Sequence, residues 1–427
     1  MFLEKISNRK MSVDIIFITI NALRMSGVYL ISTIFAPFQK SIGIPLYEMA
    51  ILEALFWIVY ASMEIPTGII ADKRGRAWSV KIGTAFFGLG MFVYSLAFNF
   101  WTALTAEMLI AIGMAFNSGS SDAWITDALT REGRLEALGN VQASSAKWNT
   151  FVAIVCGSGG AYIGKYTSYR MVWFVGGMAL VLGFIIAMWQ MNGQGEVIKE
   201  QGDEEELQVF WSTVRDSQKK WLSNRSLQWI TAVSLAFPLS FVFNHYWPIY
   251  FSGPKGMQDN LGIVWIIFFP AYMIGPWALT RYHQARSKNS EKNSSPRGCE
   301  DMTIKYEKFL VLLAVILSGT GLVGAGFSQS LPLGLIFCMV HEIGRGLFRP
   351  IAIPFVHHRI NSKYRATYDS LQSMINSVAV AVVYLICSAV LKGQSQTAET
   401  VGRLWINMGA ALILLTLLLF LLRPRKS

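Results

Sequence analysis

Twelve apolar stretches, each long enough to cross roughly 30 Å of hydrocarbon, constrain this chain more than any other feature of its sequence. They cover approximately residues 13–37, 47–70, 79–99, 101–127, 139–163, 170–191, 228–251, 260–281, 307–328, 331–356, 366–391 and 402–422. A segment in hydrocarbon must satisfy its own backbone hydrogen bonds, and a helix does so within itself. The chain is 53% hydrophobic and 15% charged, whereas soluble domains carry about 25% charged residues. The expected fold is therefore an all-α membrane protein with twelve transmembrane helices.

The formal net charge of +11 would suit a nucleic-acid partner, but its distribution points elsewhere. With the N-terminus placed in the cytoplasm, most of the 37 Lys and Arg fall in cytoplasmic segments. That is the positive-inside asymmetry of a polytopic membrane protein, and it accounts for the charge without nucleic acid. Both termini are then cytoplasmic, and Arg423-Pro424-Arg425-Lys426 reads as a retention anchor. The polar Met1–Lys10 precedes an apolar run too long for a signal-peptide core, so that run is expected to stay as a helix. Cys156, Cys338 and Cys387 lie in apolar runs and Cys299 in a polar loop, which fits no disulfide framework and no metal cluster.

Two breaks are long. Residues 192–227 begin with Asp203-Glu204-Glu205-Glu206. They continue with Leu207, Phe210, Trp211, Val214, Trp221 and Leu222 against Arg215, Lys219, Lys220 and Arg225. The pattern predicts an amphipathic helix along the inner membrane face. Ser287–Glu300 is rich in Ser, Asn and Lys and reads as a disordered linker. A weak internal repeat sets Ala61–Pro66 on Ala271–Pro276, 210 positions apart, with Tyr282 where the first copy has Asp72. The expected organisation is two pseudo-symmetric six-helix bundles: residues 1–191, a linker at 192–227, and residues 228–427.

Between the second and third apolar runs lies a short basic turn, Gly68-Ile69-Ile70-Ala71-Asp72-Lys73-Arg74-Gly75-Arg76. It resembles the signature loop between helices two and three of the major facilitator superfamily, Gly-x-x-x-Asp-x-x-Gly-Arg-(Arg/Lys). Gly68, Asp72, Gly75 and Arg76 match, with Ala77 in place of the second basic residue. Ile112-Gly113, then Asn117-Ser118-Gly119 through Asp122 and Asp127, is similar to the fourth helix and its cytoplasmic exit. Gly157–Gly160 with Tyr169, Arg170 and Phe174 resembles the fifth-to-sixth passage, and Arg365-Ala366-Thr367 with Ser370 the entry to the eleventh. The resemblance covers the chain apart from the two long loops. It implies that Asp72, Arg76 and Asp127 form a charge relay that latches the cytoplasmic side against helix eleven. Physically this would be a bistable clasp of roughly 1–3 kcal/mol per partly buried contact; the alternative is ordinary positive-inside decoration. Two departures from the proton-coupled exporters of that family stand out. Glu107 holds the place of their helix-four arginine, and Gly157-Ser158 lacks their Gly-Pro pair.

Charges inside the spans cost roughly 2.5–3.5 kcal/mol each at a helix centre, so each should pair or face a cavity. Arg24 lies about 16 Å up the first span and Glu107 about 21 Å up the fourth. The depths predict a pair, whether for coupling or purely structural. Glu342 and Arg345, three apart in the tenth span beside His341 and Arg349, share a helix face. Glu107 and Glu342 are the proton-carrier candidates, with Glu53 weaker. A carboxyl that loses water as a cavity closes takes up a proton and returns it on exposure to the other side. Asn21, Asn117, Trp148, Asn149, Asn244, His245, Tyr246, Trp247 and Asn376 are the pocket candidates, any one of which could equally serve packing. Trp247 and Tyr250 could equally be an aromatic belt.

Gly159–Tyr166 nearly spells a phosphate-binding loop, but Tyr166 stands where Ser or Thr is needed and no strand precedes it. His357-His358 is the one dense candidate for a metal-dependent enzyme and reads better as part of a basic loop. The expectation is a secondary active transporter of a small organic solute, acting as a monomer in the plasma membrane without cofactor or metal. It would work by alternating access, with proton-coupled efflux ahead of uptake by symport. Lipid flipping, a polytopic membrane enzyme and a transport-silent nutrient receptor are the alternatives.

Overall fold

The computed structural model describes residues 11–191, 215–216, 218–252, 260–292 and 297–424, and the regular structure in them is helical throughout. In chain order the helices are α1 Val13–Ile31, α2 Phe35–Ser41, α3 Leu46–Arg74, α4 Arg76–Ser95, α5 Phe100–Asn117, α6 Ser120–Arg131, α7 Leu138–Tyr166 and α8 Tyr169–Gln190. They continue with α9 Arg225–Ala236, α10 Val242–Phe251, α11 Leu261–Phe268, α12 Ala271–Lys292, α13 Arg297–Phe327, α14 Leu331–His357, α15 Ser362–Leu391 and α16 Ala398–Leu421. Each of the twelve apolar stretches is accounted for. The first is α1 running on into α2, and the fourth is α5 and α6. The seventh is α9 and α10 joined by a 3₁₀ turn at Phe237–Phe241, and the eighth is α11 and α12.

Eleven of these segments are long and apolar enough to span a membrane by length and composition. The twelfth, α7, falls short because Gln142, Ser144, Ser145, Lys147 and Asn149 interrupt its first half. Local chemistry explains the boundaries. Asn99 and Thr102 form a reciprocal capping box at α5, and Ser168, Asn224 and Thr397 cap α8, α9 and α16. The repeat-related Pro66 and Pro276 both lie inside helices, α3 and α12.

The chain divides into two compact units, Met1–Gln201 with Asp259–Gly262, and Gly202–Gln258 with Ile263–Ser427. In the first, α1 packs on α7 and α8, α4 lies against α5 and α8, and α3 rests on α5. Close approach rests on glycine: a Cβ on Gly160 of α7 would run into the Leu30 carbonyl of α1. A buried cluster fixes one end of this unit: Val13, Ile16, Phe17 and Ile20 of α1, Trp124, Ile125, Ala128 and Leu129 of α6, and Ala187 and Met191 at the end of α8. In the second unit, α13 packs between α14 and α16, and α12 lies along α14. A Cβ on Gly346 of α14 would meet the Tyr272 carbonyl of α12.

Two expectations need correction, that of the 287–300 linker and that of Trp247. Residues 287–300, read as a disordered linker, are helical up to Lys292 and again from Arg297. Gln, Arg, Lys and Glu favour helix, and residues 293–296 lie outside the described residues. The turn after the second span is as short as its sequence predicts: α3 runs to Arg74, α4 starts at Arg76, and Gly75 alone, at φ 93°, separates them. Trp247 is no interfacial belt residue, being 2% exposed and packed on Phe268 and Trp265 at ring distances of 4.9 and 5.8 Å. Of the predicted amphipathic helix, residues 207–214 lie outside the described residues; Trp221 does donate to Thr231 Oγ1 at 3.0 Å.

Candidate functional site

The first unit gathers the charges of the basic turn. Only a residue tolerant of positive φ can close a one-residue junction at 93°, which explains glycine at position 75. The junction aims Arg76 back at Asp72 across one helical turn, at 4.0 Å, and toward Asp127 of α6, at 3.2 Å. Asp127 is held there because α6 is fixed to α1 and α8 by the buried cluster around Trp124 and Ile125. All three side chains keep a third or more of their surface accessible. Gly68 has open space where a side chain would sit, so its packing makes no demand for glycine.

Deeper in this unit the predicted Arg24–Glu107 pair does not form; each residue has other partners. Arg24 donates from Nη2 to Asn21 Oδ1 at 2.9 Å, and the same oxygen accepts from Ser121 Oγ at 3.4 Å. Glu107 is 2% exposed. Its Oε1 accepts from Tyr94 Oη at 2.9 Å and from Gln39 Nε2 at 3.0 Å, and Gln39 also donates to Tyr94 Oη at 2.7 Å. Tyr94 is locked in place by stacking on Trp173, with centroids 4.0 Å apart and planes 3° apart. Glu107 Oε2 is buried with no hydrogen bond among the described residues. Glu53 acts on Glu107 electrostatically. Depth along the helix axis brought Arg24 and Glu107 level, but azimuth around it points them to different neighbours.

The second unit holds the other predicted couple. Arg345 Nη1 bonds Glu342 Oε1 at 2.8 Å. The same nitrogen donates to Asn244 Oδ1, and the guanidinium lies 5.6 Å over the Tyr272 ring. His341, fully buried, shares Ser318: its Nδ1 lies 3.1 Å from the hydroxyl and 3.0 Å from the carbonyl oxygen.

A family model described as Major Facilitator Superfamily matches residues 17–290. The chain belongs to the major facilitator superfamily. Solved superfamily-type transporters share its fold at low identity. A nucleoside transporter, NupG, superposes with TM-score 0.74 at 11% identity, covering 96% of this chain and 100% of its own. The peptide transporter POT gives 0.71 at 12% identity, over 96% and 94%. A bacterial homologue of the human lysosomal transporter Spinster, inward-facing and occupied, gives 0.70 at 12% identity, over 96% of both chains. An uncharacterized transporter of Buchnera aphidicola, BU466, is 20% identical over 192 residues, 45% of this chain; the match spans 48% of that relative's length. The protein is thus an integral, multi-pass membrane transporter of the superfamily kind, with an all-helical fold.

For a superfamily member, several pocket candidates lie in unexpected settings. Asn117, 2% exposed, turns its Nδ2 onto Gly113 O of its own helix at 2.9 Å. His245 and Tyr246 are buried at 3% and 0%, His245 5.0 Å from the Tyr246 ring and 6.4 Å from that of Tyr384. Asn376 accepts from Gln372 at 3.0 Å. Trp148 is 54% exposed on α7, with Asn149 Oδ1 beside it buried and without a hydrogen bond among the described residues. His357 and His358 bind carboxylates instead of sharing a site: His357 Nε2 lies 2.8 Å from Asp369, and His358 Nδ1 lies 3.2 Å from Glu307, which also takes Arg359 at 3.1 Å. No set of three His, Cys, Asp or Glu among the described residues is placed to hold a metal. Sequence reasoning missed Gln39 and Tyr94. Neither carries a signal until Glu107 is placed.

Proposed function

We propose that this chain is a proton-coupled secondary transporter that exports a small organic solute by alternating access, acting as a monomer in the plasma membrane with both termini in the cytoplasm. Two six-helix bundles, residues 1–191 and 228–427, would move about the linker 192–227. Asp72, Arg76 and Asp127 would act as the clasp that favours one access state. The observation that carries the reading is Glu107. A buried carboxyl with neutral donors on one oxygen and nothing on the other can be carried neutral, with its proton on Oε2. A buried carboxylate would lack the cationic partner that it needs. Glu342 is tied to Arg345, so of the two carrier candidates Glu107 is the one without a fixed counter-ion.

Inside-out vesicles with an acidified lumen and a pH-sensitive dye test this. Drugs, sugars, amino acids and organic acids are added in turn. The expected result is a solute-induced loss of the gradient that disappears in Glu107→Gln. Solute accumulation with no proton movement, or a response unchanged in Glu107→Gln, overturns proton coupling through this residue. Proton movement in the same direction as the solute reassigns the protein to symport.

A further inference from the structure

Two arginines lie deep in the apolar spans, and the protein treats them differently. Arg345 is neutralised by Glu342 at 2.8 Å and held by Asn244 and Tyr272. Arg24 forms no ion pair among the described residues; its single hydrogen bond is the one to Asn21 Oδ1. A guanidinium carries five N–H donors, so most of its fork is left without an acceptor. Asp122 and Tyr60 act on Arg24 electrostatically, but neither is bonded to it. Arg24 is only partly covered, so its free donors are reachable. Asp122, in the first turn of α6, attracts Arg24 through space without bonding to it; a cation held this deep with no bonded counter-ion is expensive, and an oxyanion that reaches the open fork from solution lowers that cost.

The surroundings carry a second positive feature. The fourth span is broken: α5 ends at Asn117, Ser118 is extended, Gly119 sits at φ 71°, and α6 begins at Ser120. The first turn of a helix leaves backbone N–H groups open. Here Ser120 N is taken by Ser118 O at 2.8 Å and Ala123 N by Gly119 O at 2.9 Å, while those of Ser121 and Asp122 bond no acceptor among the described residues. The Ser121 hydroxyl reaches the same Asn21 oxygen that holds Arg24. The free fork of Arg24 and the positive end of a twelve-residue helix therefore meet at Asn21. This is the combination that binds a carboxylate or phosphate group.

We propose that Arg24, set by Asn21 beside the start of α6, is an oxyanion subsite for the cargo, so that the transported solute carries a carboxylate or a phosphate group. This rests on the transporter reading above and narrows its substrate class. It also explains why the fourth span is interrupted at the level of Arg24 and why Glu107 is left free of a cation.

Thermal unfolding of the purified full chain in detergent tests the proposal without transport. Hexanoate, hexyl phosphate, hexylamine and hexanol are added at millimolar concentration to the native protein and to Arg24→Gln, Arg24→Lys and Arg345→Gln. One of the two anions is expected to raise Tm in the native protein, with the amine and alcohol inert. Arg24→Gln should weaken the anion's apparent affinity by about tenfold or more, the scale of a lost charged hydrogen bond, while Arg24→Lys keeps part of it. Without ligand, Arg24→Gln should unfold no earlier than the native protein, because an unpaired cation is removed, whereas Arg345→Gln, which orphans Glu342, should unfold earlier. Failure of both anions to stabilise, or an empty-state loss in Arg24→Gln as large as that in Arg345→Gln, overturns the subsite. Anion binding without proton movement in vesicles leaves the subsite and removes the coupling. Proton-coupled transport of a cationic solute that survives Arg24→Gln does the reverse.

Discussion

At the scale of single residues, the contacts around Arg76 divide stability from switching. Its two ion pairs, 4.0 Å to Asp72 and 3.2 Å to Asp127, join side chains that are a third or more exposed, and exposed pairs are worth about 0–1 kcal/mol. Asp72→Asn should therefore leave expression and Tm close to those of the native protein while, on the proposed mechanism, abolishing transport by removing the bias between access states. Full transport in that variant would show that the turn is ordinary surface charge. Glu107 behaves otherwise. Its partners Gln39 and Tyr94 are themselves fully buried and Tyr94 is fixed by Trp173, so its environment is set by packing. The sequence made Glu107 visible as a charge in an apolar span, but a helix read in one dimension yields depth and not direction, which is why Arg24 and Glu107 looked like partners. Glu342 and Arg345 were legible because both lie on one helix, where a spacing of three fixes azimuth as well as depth.

At the scale of elements, hydrophobic runs located every span, and the misplaced details were those set by neighbours. The interruption of the fourth span at Ser118-Gly119 depends on two backbone torsions, and the polar stretch after the eighth span is helical as far as Lys292 because its Gln, Arg, Lys and Glu favour helix. Gly159 and Gly160 illustrate how packing separates residues that look alike in sequence. They are adjacent in a run that imitates a phosphate-binding loop, yet a Cβ on Gly160 would overlap the Leu30 carbonyl, while one on Gly159 meets nothing within 4 Å. Gly160→Ala must push α7 off α1 and should cost about 1–3 kcal/mol, the usual penalty of overpacking. Gly159→Ala should cost nothing or stabilise slightly, since alanine is the better helix former. Thermal unfolding of the two variants checks this, and an equal effect at both positions would mean that α1 and α7 do not approach as closely as Gly160 and Leu30 do here.

At the scale of the whole molecule, membership of the superfamily fixes the fold, but the direction in which the chain crosses the membrane comes from its charge. Lys and Arg crowd the connections at Lys73–Arg76, Arg131–Arg134 and Arg359–Arg365 and thin out at those near Lys40, Arg170 and Lys392. Loops rich in these residues are retained in the cytoplasm, and on that rule both chain ends are expected there as well. In a background in which Cys156, Cys299, Cys338 and Cys387 are replaced by serine, single cysteines at Glu136 and at Lys392 report on the two sides. Both positions are exposed, Glu136 in the short turn before α7 and Lys392 just past α15, so labelling reads sidedness and not burial. A membrane-impermeant maleimide applied to intact cells should label Lys392→Cys and leave Glu136→Cys untouched until the membrane is opened. The opposite pattern would invert the topology. The cluster of Asp72, Arg76 and Asp127 would then face outward, and a cytoplasmic clasp built from those three residues would be ruled out along with it.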